Sequence, residues 1–151
     1  MDRTELKRLN LRGADLTRKD LSQLNLSGKD LSGAILTGAN LSNSTLAGAN
    51  LEDSNLDGTD LSGADLSRTN FHKASLINAC LKKANLEQAN LSLANLSHAN
   101  LSDANLHSAK LIEAVLKETE LNRAFLQHAN LCSANLERAE LSGADLSGAN
   151  L

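Results

Sequence analysis

The sequence predicts an all-β solenoid with four sides to each coil. Three observations predict it: an aliphatic residue at every fifth position, strict preferences at the flanking positions, and a charge register of 20 residues. Leucine stands at every fifth residue from Leu6 to Leu151, thirty positions in which Phe71 is the one departure. On an α-helix a step of five advances about 500°, so the leucines smear around the cylinder and leave no apolar stripe. On an unbroken strand an odd period sends alternate leucines to opposite faces. Only a chain that turns a corner in every pentad aims them all at one interior.

The neighbours of the leucine fit that geometry. Two residues before it stands Ala in 20 of 30 pentads and Ser or Thr in six more, so that site is small and faces inward. Immediately before it stands Asn or Asp in 20 of 30. These types bond locally to turn backbone and read as corner fasteners. All nine glycines fall two after a leucine, where a turn wants positive φ. Between Gly63 and Gly143 that site holds other residues, including Arg68, Lys83, Asp103 and Arg138, which predicts a different turn type in the middle coils.

Charges set the number of sides. Residues one coil apart stack at about 4.8 Å, so opposite charges belong at the true coil spacing. At a separation of 20 there are five opposite pairs (Asp53 with Lys73, Lys83 with Asp103, Asp103 with Arg123, Lys117 with Glu137, Glu118 with Arg138) against one like pair, Glu120 with Glu140. At 15 the tally is one opposite to six alike, and at 25 it is two to two. Four pentads per coil follow, giving about seven and a half coils and a rod about 36 Å long.

The pentads ANLSL, ANLSH and ANLSD along Ala89 to Asp103, and ADLSG along Ala144 to Gly148, resemble the pentapeptide-repeat family, whose unit is A-(D/N)-L-x-x. The likeness covers essentially the whole chain. It implies a right-handed quadrilateral parallel β-helix of 20 residues per coil, and much less about activity, because the repeated residues build the wall.

We read residues 1–151 as a single solenoid domain, with residues 1–30 as an atypical capping coil. There Leu9 and Leu24 occupy the small site, and Lys19 and Lys29 stand where a buried residue is expected. Both lysines are expected to reach solvent or to sit beside a distorted corner. At the other end the consensus runs to Leu151, a layer of leucines that an end-to-end homodimer through the C-terminal coil, or further chain, would cover.

Composition narrows the function. There is no Pro, Trp or Tyr, so aromatic anchors cannot build the core. The charged segment Met1 to Leu11 lacks the apolar run of a signal peptide, and no stretch approaches the roughly 18 apolar residues of a membrane span. A cytoplasmic protein with no membrane association is the expectation. Cys80 and Cys132 suggest neither a disulfide framework nor a structural zinc site. The net charge of −3 is spread over interspersed acids and bases, so direct nucleic-acid binding is not expected. A wall of stacked columns offers no deep cleft for catalysis, and the sequence assigns no catalytic residue, no cofactor and no metal. His107 and His128 fall on one face in neighbouring coils and could share a metal, but with no obvious third ligand they read as solvated surface side chains.

Large apolar residues at outward sites are more informative: Ile35, Ile77, Leu93, Ile112, Val115 and Phe125. In a four-sided coil Leu93, Ile112 and Val115 converge on one long edge, with Ile77 below, as a candidate protein-binding edge. Glu52, Asp53, Asp57, Asp60 and Asp65 form a candidate acidic patch, distributed around one coil. The preferred functional reading is a non-catalytic scaffold or protein–protein interaction module. The alternative, suggested by the resemblance, is a DNA mimic that binds DNA gyrase or another type II topoisomerase and protects it from quinolones. Duplex DNA carries about 20 charges over this length, which eighteen acids offset by fifteen bases do not imitate. A third reading is a consensus-like or designed array with no natural partner.

Overall fold

The computed structural model of the chain describes residues 10–151. Leu6, Leu9 and the rest of the first nine residues lie outside them. Every described pentad repeats one unit, a bridge residue, the leucine and a two-residue turn. Parallel bridges join residues 20 apart without interruption, from Asp15 with Ile35 to Asn130 with Asn150. The coil is therefore four-sided, a right-handed quadrilateral β-helix. We number the sides by their leucines: side one carries Leu11, side two Leu16, side three Leu21 and side four Leu26, each repeating every 20 residues.

The unit is stable because it satisfies its own backbone. In the first described pentad, Leu16 N–H donates to Ile35 O at 2.7 Å and Gly13 N–H to Ser32 O at 2.9 Å, both in the next coil. Ile35 N–H donates back to Ala14 O at 2.9 Å, and Ala14 N–H closes the turn on Leu11 O at 3.1 Å. The fifth donor is met by a side chain: Arg12 N–H donates to Asn10 Oδ1 at 3.1 Å. The same local bond recurs at every Asn or Asp of this position from Asn10 to Asp145, as in Ser62 on Asp60 and His107 on Asn105. At Ile77 and Ser142, where the fastener is missing, a side chain one coil below serves instead. Ser75 cannot cap Ile77, and Asp57, one coil below, accepts the Ile77 N–H at 3.0 Å.

Leucines and alanines fill the interior, and from Leu11 to Leu131 the leucines of the repeat are at most 2% exposed. Phe71 is fully enclosed in the same column set. Polar residues at the small site stay bonded: Thr59, Thr69 and Thr119 donate to Leu36, Leu46 and Leu96 carbonyls at 2.8 to 2.9 Å. Among the described residues no buried side-chain nitrogen or oxygen lacks a partner. In the last coil Leu136, Leu141 and Leu146 are half-buried, and Leu151 is exposed.

One expectation about corners is corrected. The middle coils do not use a different turn. The second turn residue has φ between 54° and 71° at every site from Gly13 to Gly148, whether glycine or not. The bond closing the turn and the N–H reaching the next coil together impose that conformation, and residue type only sets its cost. Lys19 and Lys29 are not enclosed in the core, as expected, and the corners around them are regular. Lys19 is exposed and Lys29 half-buried, and Leu24 is accepted at the small site with 7% exposure.

Candidate functional site

Flat sides and tight corners leave little concave surface, so the functional features are those that interrupt the ladders. On side one, Asp30, Asn50, Asn70 and Asn90 form a continuous amide ladder, each Asn Nδ2 donating to the Oδ1 below at 2.9 to 3.3 Å. Side four runs likewise through Asp65, Asn85 and Asn105. Phe125 then ends that ladder, 49% exposed, and Val115 interrupts the side-two column between Asn95 and Asn135.

Leu93, Ile112 and Val115 occupy one corner and the side that follows it. Leu93 N–H donates to Ile112 O at 2.9 Å, and Val115 N–H to Ala94 O at 2.9 Å, so the three backbones adjoin in two neighbouring coils. Leu93 is 43% exposed, and Ile112 and Val115 are half-buried. Ile77 stands at the far corner of side two, separated from the other three by the width of that side, and is half-buried.

The acidic residues do not form one surface. Asp57, Asp60 and Asp65 act as fasteners: Asp57 accepts Ser75 Oγ–H, Asp60 accepts Ser62 N–H at 2.9 Å, and Asp65 accepts Ser67 N–H at 3.1 Å. Glu52 and Asp53 instead line a shallow polar depression with Arg12, Asp30, Ser32 and Asn50. Cys80 on side three and Cys132 at the corner between sides one and two are free thiols, both half-buried.

Several charge columns close into ion pairs across one coil. Arg123 meets Asp103 at 2.7 Å, Lys117 meets Glu137 at 3.4 Å, and Arg138 meets Glu118 at 3.5 Å, while the His98 imidazole stands 3.4 Å from Glu118 from below. The Arg123 guanidinium, helped by Lys83 and Lys82, holds the Asp103 carboxyl below its ordinary range. Hydroxyl and amide donors of Thr17, Ser32 and Ser147 lower Asp15, Asp30 and Asp145 in the same direction.

At the corner between sides four and one, the His107 and His128 that the register brings together are joined by residues the sequence did not group with them. Glu87, Asn105, His107, Phe125, Gln127 and His128 line an open concavity of about 600 Å³. The signal was present in the numbering: Glu87, His107 and Gln127 are 20 apart, and Phe125 shares a coil with His128. No helix among the described residues is long and apolar enough to cross a membrane.

A leucine-filled square coil fastened by Asn and Asp at most corners defines a class of repeat solenoid. The chain belongs to the pentapeptide-repeat family, whose profile matches residues 20–53, 49–88, 79–117, 89–127 and 114–151. Among solved structures it is similar to QnrB1, a plasmid-mediated fluoroquinolone resistance protein, with a TM-score of 0.71 and 22% identity, over 100% of this chain and 87% of that one. It is also similar to the pentapeptide repeat protein Rfr23 from the cyanobacterium Cyanothece 51142, with a TM-score of 0.53 and 25% identity over 97% of each chain. A third, alr5209 from Nostoc Pcc 7120, is 38% identical over 71% of this chain and 82% of that one, with a TM-score of 0.45. No curated protein matches it.

Proposed function

We propose that the protein is a non-catalytic cytoplasmic scaffold that presents rigid side-chain ladders to another protein and binds it at the corner formed by Leu93, Ile112 and Val115. One observation carries this reading: Leu93 is 43% exposed beside two further aliphatic residues in adjoining coils, whereas Ile35 and Phe125, equally exposed, stand elsewhere on the rod. A fixed backbone makes such a corner a ready docking element, because little conformational entropy remains to be lost on binding. Ile77 lies too far along the side to belong to the same contact and would extend it only for a partner that spans the whole face. Glu52 and Asp53 are the acids free to add charge recognition. The test is a pull-down with Leu93→Arg/Ile112→Arg beside wild type. Loss of specific prey supports the reading, and identical prey removes it.

The half-buried Leu136, Leu141 and Leu146 support a second contact, an end-to-end homodimer through the C-terminal coil. Light scattering across a dilution series tests it, with a concentration-independent monomer mass as the contrary result. The DNA-mimic reading draws on the likeness of fold to QnrB1, while the ion pairs along the rod neutralise the acids such a mimic needs. A gyrase supercoiling assay decides it, and neither inhibition nor quinolone protection is expected.

A further inference from the structure

The concavity at the corner between sides four and one is the least scaffold-like surface of the rod. Its lining contains two imidazoles and a carboxylate, and no lysine or arginine. His107 is the first turn residue of its coil and His128 the second turn residue of the coil above. Their ring centroids are 5.5 Å apart, with the planes at 89°. With metal–nitrogen bonds of about 2.0–2.1 Å and ring nitrogens about 1.2 Å from the ring centre, two imidazoles on one tetrahedral ion have centroids about 5.2 Å apart. The pair already stands within a few tenths of an ångström of that spacing.

From this geometry we propose that His107 and His128 form a two-imidazole site for a late first-row divalent transition ion, with solvent completing its coordination. Imidazole donors select ions of this class, with Cu²⁺ bound more tightly than Ni²⁺ or Zn²⁺. Glu87 lies one coil below His107 in the same column, where Gln88 N–H donates to His107 O at 2.9 Å, and its negative charge favours a cation there. Asn105 fixes the His107 backbone by accepting its N–H at 3.0 Å.

The His128 ring is positioned from above. It lies against Gly148, where a Cβ would stand 2.6 Å from Nδ1, so a glycine is what allows the imidazole its place. Gln127 does not compete for the site, because its amide donates to Asp145 Oδ2 at 2.7 Å. The rings meet edge to face in the free chain, so one imidazole turns about its side-chain bonds to aim a ring nitrogen at the shared ion, while the backbones of both stay where the coil holds them. Among the described residues no group of three His, Cys, Asp or Glu is gathered to hold a metal, so the chain supplies two ligands and water the others.

Calorimetric titration with Zn²⁺ and proton NMR with substoichiometric Cu²⁺ test the site. The expected result is one Zn²⁺ per chain, and selective broadening of two of the four histidine ring signals. His107→Gln and His128→Asn should each weaken binding at least ~10-fold, while His72→Gln and His98→Gln leave it unchanged. Asn suits position 128 because it tolerates the positive φ there. Circular dichroism of each metal-free variant should match wild type. The proposal is overturned by absence of binding at millimolar metal, by equal broadening of all four signals, by one metal shared between two chains, or by binding that survives in the His107→Gln/His128→Asn double variant.

Discussion

Arg123 clasps Asp103 across one coil, with Nε donating to Oδ1 at 2.7 Å and Nη2 to Oδ2 at 2.8 Å. Among the ion pairs of the described residues, this one joins both carboxylate oxygens to one guanidinium, a geometry open only to residues in the same column. Because these donors lower the Asp103 pKa in the folded state, the stability they add is present in full above the ordinary 3.8. It is lost as pH falls through the lowered folded value. Asp103→Asn should therefore reduce the thermal midpoint near neutral pH, and the gap to wild type should close as the pH falls below 3.8. Melts followed by circular dichroism along a pH series check this, and a gap that widens on acidification would contradict it.

The amide ladder makes a sharper stability prediction. Asn70 Oδ1 accepts His72 N–H at 3.2 Å and Asn90 Nδ2–H at 3.1 Å, while its own Nδ2 donates to Asn50 at 2.9 Å. Asn70→Ala strands three partly buried partners and should cost about 1–3 kcal/mol in urea unfolding. Asn135 is exposed and makes one such bond, to Glu137 N–H at 2.9 Å. Asn135→Ala should cost well under half as much.

Backbone strain can be isolated at two exposed corners. Gly48 has φ of 66° with open space where a Cβ would stand, so Gly48→Ala adds a conformational penalty without a clash. Gln88 pays that penalty already at φ of 58°. A left-handed L-residue costs roughly 1–2 kcal/mol and glycine's extra chain entropy about 0.5–1 kcal/mol. Gly48→Ala should destabilise, and Gln88→Gly should stabilise by up to about 1 kcal/mol. Chemical unfolding of the two variants measures both signs, and the same sign in both would refute the uniform turn.

Burial along the rod predicts a gradient. Leu101 is fully enclosed, and Leu101→Ala should cost about 2–5 kcal/mol. Leu146 is half-buried in the last coil, so the same truncation should cost less than half of that. Equal losses in equilibrium unfolding would show that the last coil is covered, as an end-to-end dimer requires.

Most of this fold was legible because one pentad dictates one side. The leucine column, the small site and the fastening role of residues such as Asn85 and Asn105 follow from position alone. The charge register found the coil length because stacked neighbours such as Lys117 and Glu137 feel each other across a single spacing. Turn type was not legible: replacement of glycine by Arg68 or Lys83 suggested a changed corner, whereas the hydrogen bonds of the coil hold the backbone left-handed whatever the residue. The edge of Leu93, Ile112 and Val115 followed from register, but how far Ile77 stands from it depended on which residues form corners. The register paired His107 with His128, but the presence of Phe125 beside them required the height of each side chain on the rod.

Oxidative cross-linking between introduced cysteines reads the coil length on which the proposed Leu93 edge and the imidazole pair both depend. Asn78 N–H donates to Ser97 O at 3.1 Å, so residues 78 and 98 stand in adjacent coils at the same corner. Coil spacing of about 4.8 Å lies inside the Cα range a disulfide accepts. In a chain with Cys80→Ser and Cys132→Ser, the pair Asn78→Cys/His98→Cys should cross-link readily under native conditions, and Asn78→Cys/Leu93→Cys should not. Preferential closure of the 78/93 pair would mean three sides to a coil and would contradict the account.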